Sequence, residues 1–204
     1  MKKQIHLLFQ ILLICAASAG VVLQIVFQKG PNSGLNLLSY FTIQSNLIVA
    51  VALSLNIYYR ANPPGWLAAL KSGAAIWILV TGLVFHFLLS KVYHPVGILM
   101  FANILLHYIV PAGAQINWLI FEVKGTYRHK FTFIWIAYPT LYAFLSLLRA
   151  KIDGFYPYWF MNPTKNYPDG AGSLVNVLIV IALLALVFSI IGNLIVLIDR
   201  RLEK

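Results

Sequence analysis

The sequence predicts an all-α protein, a polytopic membrane bundle of six transmembrane helices that forms a single domain over residues 1–204. Of the 204 residues, 61% are hydrophobic and only 10% are charged, whereas soluble domains are about 25% charged. A compact soluble body of this size has too little interior to hide so much apolar surface. Apolar runs close to the ~20-residue length of a membrane span recur six times. Composition therefore excludes a soluble enzyme and a disordered chain.

The six apolar runs give the predicted elements in chain order. They lie near residues 5–27, 36–59, 66–89, 96–121, 131–148 and 174–198. The connections at 29–34 and 62–65 are rich in the Gly, Pro, Asn and Ser of turns. Because short connections make successive helices antiparallel neighbours, we expect one compact bundle.

The first run contains the elements of a signal peptide, since Lys2 and Lys3 precede it and residues 17–19 read Ala-Ser-Ala. The apolar stretch continues to Phe27, however, which gives it about 23 residues, a spanning length rather than a short signal core. We therefore predict that this segment is retained as the first membrane helix.

The basic residues predict the orientation and the partners of the chain. It carries 15 Lys and Arg against five Asp and Glu, a net charge of +10. The cations stand singly at the ends of apolar runs, so we expect membrane lipids and no nucleic acid as partners. With a cytoplasmic N-terminus, ten cations fall inside, and the five outside are Lys29, Lys91, Arg149, Lys151 and Lys165. The positive-inside rule then predicts a multi-pass protein of the cell membrane with both termini cytoplasmic.

The long connection covers residues 149–173 and is rich in aromatic side chains, with Phe-Tyr-Pro-Tyr-Trp-Phe at 155–160. A loop this aromatic is not expected to extend freely into water. Aromatic belts at the headgroup level are common, so we favour that interpretation. A lid folded over the end of the bundle is the alternative.

Polar side chains at membrane depth are the informative positions, because they are costly in hydrocarbon and usually face the bundle interior. In the second helix, Ser39, Thr42 and Asn46 share one face, with Ser45 close by. From this helix alone, hydrogen bonding between helices is the favoured interpretation. The lining of a pocket is the alternative, because the polar face is confined to one half of the helix.

The fourth helix carries Asn103 and His107 one turn apart, followed by Pro111. Counting 1.5 Å per residue from the helix ends places His107 and Thr42 at comparable depths if their faces meet. We expect such a deep histidine to be uncharged and hydrogen-bonded. Pro111 is expected to free backbone groups and kink the helix.

Known nucleotide, zinc-protease and serine-hydrolase motifs are absent from the sequence. Hydroxyl and imidazole groups remain, and a threonine oxygen becomes nucleophilic when a histidine removes its proton. Thr42 with His107 is the pair placed deep in the bundle, and Ser39 and Ser45 are alternative hydroxyls. The side-chain amides of Asn46 or Asn103 are candidate donors to a developing oxyanion. No cofactor and no metal are expected.

The chain resembles the androgen-induced-gene family of six-span membrane proteins, whose animal members are threonine hydrolases of fatty-acid esters of hydroxy fatty acids. Tyr40-Phe41-Thr42 and His107 carry the resemblance, and residues 154–160 resemble the family's Tyr-Pro-Phe segment. Residues 41–47 and 106–111 resemble its bacterial branch. The resemblance implies an intramembrane hydrolase of lipid (fatty-acid) esters with a Thr-His dyad, in which Thr42 is the catalytic threonine and His107 its histidine.

The predicted substrate-binding residues are Asn46, Asn103, His86, Arg149 and Tyr156. Arg149 suits a free carboxylate of a lipid-like substrate at the outer surface. Two other functions stay open at this point. One is non-enzymatic binding or transport of a lipid or small molecule. The other is a bis-His haem protein that uses His86 and His107 as axial ligands.

Overall fold

The computed structural model describes residues 1–203. Within that range the chain is helical without β-strands, and six helices are long and apolar enough to cross a membrane. The predicted fold class is therefore confirmed, and the chain is a multi-pass membrane protein. The helices are α1 (Lys2–Phe27), α2 (Phe41–Tyr58), α3 (Gly65–Leu89), α4 (Ile98–Phe121), α5 (Thr132–Asp153) and α6 (Leu174–Arg201).

The bundle consists of four mutually packed helices and a docked pair. Helix α1 packs against α2 and α4, and α3 packs against the other sides of α2 and α4. Helices α5 and α6 pack against each other and lie together against α3. The core is apolar and includes Trp77, Ile78 and Trp135, all at most 5% exposed. The docked pair therefore meets the rest of the bundle mainly along α3, with further contacts to the start of α2 and the end of α4.

Small residues let α4 approach its neighbours closely. A Cβ atom on Gly82 of α3 would lie 2.9 Å from the backbone oxygen of His107. A Cβ on Gly20 of α1 would lie 2.7 Å from the side chain of Leu106. Such approaches are typical of membrane helices, where small residues allow tight packing. They fix the position of the α4 segment that carries His107.

The described helices contain three π-helical turns: Phe85–Leu89 ends α3, Leu105–Ile109 interrupts α4, and Asn117–Phe121 ends α4. A π-helical turn bonds each N–H to the carbonyl five residues back instead of four. Such turns are frequent at functional sites. The first two stand beside each other, because the Phe85 and His107 rings stack with their centroids 3.9 Å apart.

Pro111 explains the second of these turns. Val110 N–H donates to the Leu105 carbonyl in the π-helical pattern. The next N–H would be that of Pro111, which has none. The carbonyl of Leu106 is therefore left without its helical donor and accepts from Asn46 Nδ2 at 3.2 Å. The proline disturbs α4 as expected, and the disturbance takes the form of a π-helical turn.

Pro139 has a comparable effect inside α5. Without its N–H, the carbonyl of Trp135 four residues earlier lacks a helical partner. The indole Nε1–H of Trp77 in α3 donates to that carbonyl at 3.0 Å. The proline thus gives α3 and α5 a buried hydrogen bond across their seam.

Helix α2 begins later than predicted. Residues Gly34–Ser39 form a 3-10 helix, Tyr40 is extended, and the α-helix starts at Phe41. Side-chain contacts hold this entry segment, since Arg149 donates to Ser39 and Asn36. Helix α5 runs past its predicted end at residue 148 to Asp153. Arg149 and Asp153 form an ion pair at 2.8 Å, and Gly154 ends the helix with φ of 74°.

Residues 154–173 fold over the end of the bundle as a lid, the arrangement predicted as the alternative to an aromatic belt. Phe160 and Met161 are 4% and 2% exposed and pack against α5 and α6. The Trp159 indole donates to the Leu88 carbonyl of α3 at 3.4 Å. Phe160 is buried and most of the other aromatic side chains are half-buried because the segment crosses the end of the bundle, whereas Tyr167 is exposed. We call this the loop end, as it also carries residues 28–40 and 90–97.

The opposite end of the bundle, which carries both termini, holds a second group of buried polar residues. Asp199 of α6 is fully buried and accepts from Trp118 Nε1 at 2.9 Å and from Tyr127 N–H at 3.0 Å. Glu122 pairs with Lys71 at 3.2 Å and accepts from Asn117 Nδ2 at 2.9 Å. These contacts join α3, α4, α6 and the connection after α4. We call this group the terminal-end cluster.

Candidate active site

The structure brings Thr42 and His107 together. Thr42 Oγ1 lies 3.2 Å from His107 Nε2, and both residues are 7% exposed. Thr42 is the second residue of α2, and His107 lies at the centre of the π-helical turn of α4. Two side chains separated by 65 positions in the sequence therefore form a buried hydroxyl–imidazole pair.

The direction of the hydrogen bond between them follows from a third group. His107 Nδ1 lies 3.1 Å from the backbone oxygen of Asn103. A carbonyl oxygen only accepts, so Nδ1 carries the proton and an uncharged ring has its lone pair on Nε2. The Thr42 hydroxyl then donates to Nε2. This is the arrangement in which an imidazole serves as a general base toward a hydroxyl.

The imidazole is held in place on its face as well as at its nitrogens. The Phe85 ring stacks on it at an interplanar angle of 23°. Gly82 allows α3 to lie directly against the His107 backbone. Both ring nitrogens are hydrogen-bonded. The ring therefore has little freedom to turn away from Thr42.

Tyr158 of the lid completes the group. Its hydroxyl oxygen accepts from the Thr42 backbone N–H at 3.2 Å and lies 3.4 Å from Thr42 Oγ1. Burial raises the pKa of Tyr158 above its ordinary value, so the hydroxyl keeps its proton at neutral pH. The sequence analysis identified the segment 154–160 but did not predict Tyr158 as a site residue. The repeated tyrosine in Tyr156-Pro157-Tyr158 is the sequence signal that could have identified it.

An outer cavity of about 630 Å³ opens beside the pair at the loop end. Thr42, His107 and Tyr158 line it, together with Tyr156 of the lid. The rest of its wall combines apolar side chains with a set of polar ones. It includes Gln24, Gln28, Lys91, His94, Asn162 and Asp169. The catalytic candidates thus border a space large enough for a small molecule.

A second, apolar cleft lies on the other side of Thr42. It runs along the seam between α3 and the α5–α6 pair. Its wall includes Val84, Pro139, Ala143, Leu184, Ala185 and Phe188. Thr42 and Tyr158 line this cleft as well as the outer cavity. Thr42 therefore lies between an apolar cleft and a cavity whose wall carries more polar groups.

The predicted oxyanion donors Asn46 and Asn103 lie outside the walls of both cavities. Asn46 Nδ2 donates to the carbonyls of Thr42, at 2.8 Å, and Leu106, at 3.2 Å, which occupies both amide hydrogens. Asn103 contributes its backbone oxygen to His107. Both residues thus contact the elements that position Thr42 and His107, and neither lines a cavity.

Of the other predicted substrate-binding residues, Tyr156 lines the outer cavity, whereas His86 and Arg149 line neither space. His86 is exposed, with Nδ1 3.3 Å from the Tyr108 hydroxyl. Arg149 stacks on Phe155 at 4.7 Å, and its guanidinium is occupied by Asp153 and the entry segment of α2. Arg149 therefore stabilises the loop end by joining α5, the lid and the segment before α2.

The alternative hydroxyls Ser39 and Ser45 also lie outside both cavities. Ser39 Oγ accepts from Arg149. Ser45 is fully buried, with Oγ 3.0 Å from Thr81 Oγ1 and 3.2 Å from the Thr42 carbonyl. Neither serine hydroxyl has a histidine ring among these hydrogen-bond partners. Thr42 is the hydroxyl that combines a histidine partner with access to a cavity.

The haem interpretation finds no support in the geometry of the two histidines. An axial ligand needs a ring nitrogen with a free lone pair directed at the iron. The lone pair of His107 already accepts from Thr42, and His86 makes its contact at the exposed surface. The two rings lie on different sides of the site, since His107 faces the outer cavity and His86 does not.

Comparison with models of protein families, with curated proteins and with solved structures finds no match to this chain. The family resemblance carried by Thr42, His107 and the lid segment therefore stays a prediction. The function of the chain rests on the chemistry of the site itself.

Proposed function

We propose that this protein is an intramembrane hydrolase of lipid (fatty-acid) esters, in which Thr42 is the nucleophile and His107 the general base. The observation that carries the proposal is the buried bond from the Thr42 hydroxyl to His107 Nε2, at the wall of a cavity. A paired hydroxyl and imidazole, with the imidazole oriented by a third group, is the signature of nucleophilic catalysis. Here the third group is the backbone carbonyl of Asn103.

In the first step, Thr42 Oγ1 attacks the carbonyl carbon of the ester while its proton passes to His107 Nε2. The tetrahedral intermediate collapses when the bond to the alcohol oxygen breaks. His107 returns the proton to that oxygen, so the alcohol leaves neutral. The acyl group remains on Thr42 as an ester.

Tyr158 is the group in this site best suited to stabilise the oxyanion. Its oxygen is fixed by the Thr42 N–H, which leaves its own O–H free to donate near Thr42 Oγ1. Because burial raises its pKa, the phenol stays a donor at neutral pH. One donor aimed at the developing charge contributes about 10²-fold or more to the rate.

In the second step, water hydrolyses the acyl-threonine. The outer cavity is the source of that water, because His107 lines it and polar side chains are part of its wall. His107 Nε2 removes a proton from the water, which attacks the acyl carbon. The Thr42 oxygen recovers the proton as the leaving group, and a fatty acid is released.

The charge distribution supports both termini in the cytoplasm, which puts the loop end and its cavity on the outer side of the cell membrane. Membrane lipids and a lipid-like substrate are then the partners of the site. These properties agree with the resemblance to the androgen-induced-gene family.

The test uses the purified full-length protein in detergent and combines two readouts. A fatty-acid ester is followed for hydrolysis, and a fluorophosphonate probe is followed for covalent labelling. Wild type is expected to do both, and Thr42→Val and His107→Ala to lose both. Ser45→Ala is the matched control, since it removes a buried hydroxyl one turn from Thr42. Full turnover in both Thr42→Val and His107→Ala would refute the dyad.

A second candidate function is binding or transport of a lipid or small molecule without turnover. The size of the outer cavity and its wall of mixed apolar and polar side chains favour it. In that case an ester binds to wild type and to Thr42→Val with equal affinity and is recovered intact. The labelling comparison separates the two functions, because only an activated hydroxyl reacts with the probe.

A further inference from the structure

We infer that Gln24 of α1 binds an oxygen-bearing polar group, a carboxyl or a hydroxyl, on the chain of a lipid ester held in the outer cavity. The inference rests on the proposed function and adds a substrate-binding residue together with the feature of the substrate that it selects. It starts from the wall of the cavity, where the Gln24 side chain is only 6% exposed.

The outer cavity is the space that can hold such an ester. The apolar cleft measures about 70 Å³, whereas a cavity that holds one benzene molecule measures about 150 Å³. The outer cavity measures about 630 Å³ and borders both Thr42 and His107. Side chains such as Leu37, Ile43 and Phe85 contribute to its wall and suit a hydrocarbon chain. The polar groups on this wall therefore select what accompanies the hydrocarbon.

Gln24 differs from the other buried polar residues of the cavity wall. Those at most 8% exposed are Gln24, Thr42, His107 and Asn162. Thr42 and His107 bond to each other, and Asn162 is hydrogen-bonded within the lid. The Gln24 amide has no hydrogen-bond partner in the part of the chain that the structure describes. Its hydrogen-bonding capacity is thus left for a molecule in the cavity.

Gln28 extends this polar strip by one turn. It follows Gln24 by four residues, a spacing that puts two side chains on the same side of a helix. Gln28 also lines the outer cavity, and its Oε1 is buried without a hydrogen-bond partner among the described residues. The end of α1 therefore presents two amides with unused hydrogen-bonding capacity along one side of the cavity.

An unpaired amide restricts what can fill the space in front of it. Water can satisfy Gln24 until a lipid displaces it. Hydrocarbon in that place would leave the amide buried without a partner, which is costly. An oxygen in that place restores the hydrogen bond. A carboxyl and a hydroxyl both serve, because the amide donates through Nε2 and accepts through Oε1. Lys91 and Asp169 both line the cavity, so the charge of the wall does not choose between them.

The experiment compares three palmitoyl esters that share one skeleton. The first is an ester of hydroxystearic acid with a free carboxyl, the second has a hydroxyl in place of the carboxyl, and the third has neither. Each is prepared with the ester bond near, midway along and far from the polar end. Wild type should favour the carboxyl or the hydroxyl ester over the plain ester about tenfold in kcat/KM, mainly through KM. Gln24→Leu should remove this preference.

Gln10→Leu is the matched control. Gln10 lies on the same helix and is 3% exposed, yet it lines neither the outer cavity nor the cleft. Its substitution should leave the preference unchanged. A preference that survives Gln24→Leu, or that Gln10→Leu lowers equally, would overturn the inference while leaving the hydrolase intact. Equal rates of wild type on all the esters would have the same meaning.

A binding measurement that needs no turnover separates the two proposals. Thr42→Val in detergent is mixed with each ester, and native mass spectrometry counts the bound molecules. Its affinity for a polar ester should exceed that for the plain ester about tenfold, and adding Gln24→Leu should abolish the difference. Equal affinities in Thr42→Val would contradict the inference. If wild type hydrolyses no ester but binding follows the expected pattern, Gln24 acts as inferred and the proposed hydrolase is wrong.

Discussion

The two ends of the bundle both bury polar side chains, but they use them differently. At the terminal end, each carboxylate oxygen of Asp199 accepts from a protein group, and Glu122 lies between Lys71 and Asn117. None of the terminal-end cluster residues lines the outer cavity or the cleft. At the loop end, Thr42 and His107 are also buried and Tyr158 is half-buried, but all three border open space.

The difference shows which buried polar residues carry chemistry in a membrane bundle. Polar groups at membrane depth are expensive and are kept either as connections between helices or as functional groups. Burial alone does not separate the two. Functional polar groups differ from structural ones in two ways. They line a cavity, and their hydrogen bonds are arranged so that a substrate can take part in them. The terminal-end cluster is therefore interpreted as structural, and the loop-end site as functional.

The largest expected effect is the loss of turnover in Thr42→Val. The substitution keeps the shape of the side chain and removes the nucleophile, so hydrolysis should fall at least about 10³-fold. Thermal unfolding in detergent should change little, since the hydroxyl lies at a cavity wall where water can replace its contacts with His107 and Tyr158. Measuring both quantities tests the comparison directly. A collapse of stability with an unaltered rate per folded molecule would reverse the roles assigned to the two ends.

The next effect concerns stability at the other end. Asp199→Ala leaves Trp118 Nε1–H and Tyr127 N–H buried without acceptors, and should cost about 3 kcal/mol of unfolding free energy. Hydrolysis per folded molecule should be unchanged. Denaturant unfolding in detergent measures the first and an ester assay the second. Asn193→Ala on the same helix, which loses a bond to the exposed His129, is the control and should cost clearly less.

A pair of tyrosines gives a sharper, smaller effect. Tyr158→Phe removes the proposed oxyanion donor and should lower kcat about 10²-fold with little change in KM. Tyr127→Phe at the terminal end removes a buried hydroxyl that has no hydrogen-bond partner, so neither activity nor stability should fall. Equal losses of activity in the two variants would mean that Tyr158 acts only through packing.

The smallest effect is on the pH dependence of stability. Burial raises the pKa of Tyr127 and of Tyr158, whereas tyrosines in an unfolded chain ionise near pH 10. Above about pH 10 the unfolded chain therefore releases protons that the folded chain retains, and stability falls as pH rises. Below that pH these groups have no effect. Tm measured from neutral to alkaline pH should show this loss, and Tyr127→Phe should reduce it.

Much of the fold was predictable from the sequence, because hydrophobic runs of spanning length and short turn-rich connections leave few alternatives for a membrane chain. The six helices agree with the predicted runs to within a few residues at most ends. The start of α2 was wrong, since Arg149 holds the entry segment from a distant part of the chain. Contacts of that kind leave no periodic signal in a sequence.

The candidate site was predictable in its central pair but not in its surroundings. Thr42 and His107 were identified from spacing and from the resemblance, and the structure brings them into hydrogen-bonding distance. Asn46 was assigned to substrate because an amide suits an oxyanion. The π-helical turn of α4 exposes the Leu106 carbonyl that it binds instead. The reach of Tyr158 to Thr42 depends on the path of the lid, which its composition alone did not determine.

The π-helical turn of α4 also makes the site sensitive to chain length. Such a turn contains one residue more than the α-helical turn it replaces, and one residue corresponds to a rotation of about 100° around the helix axis. Deleting a single residue from Leu105–Ile109 would allow a regular helix, yet it would rotate the half of α4 before the deletion against the half after it. His107 could then face Thr42 only if Pro111 and Gly82 lost their contact. A shortening that improves the helix would thus disable the chemistry, even with every side chain of the site still present.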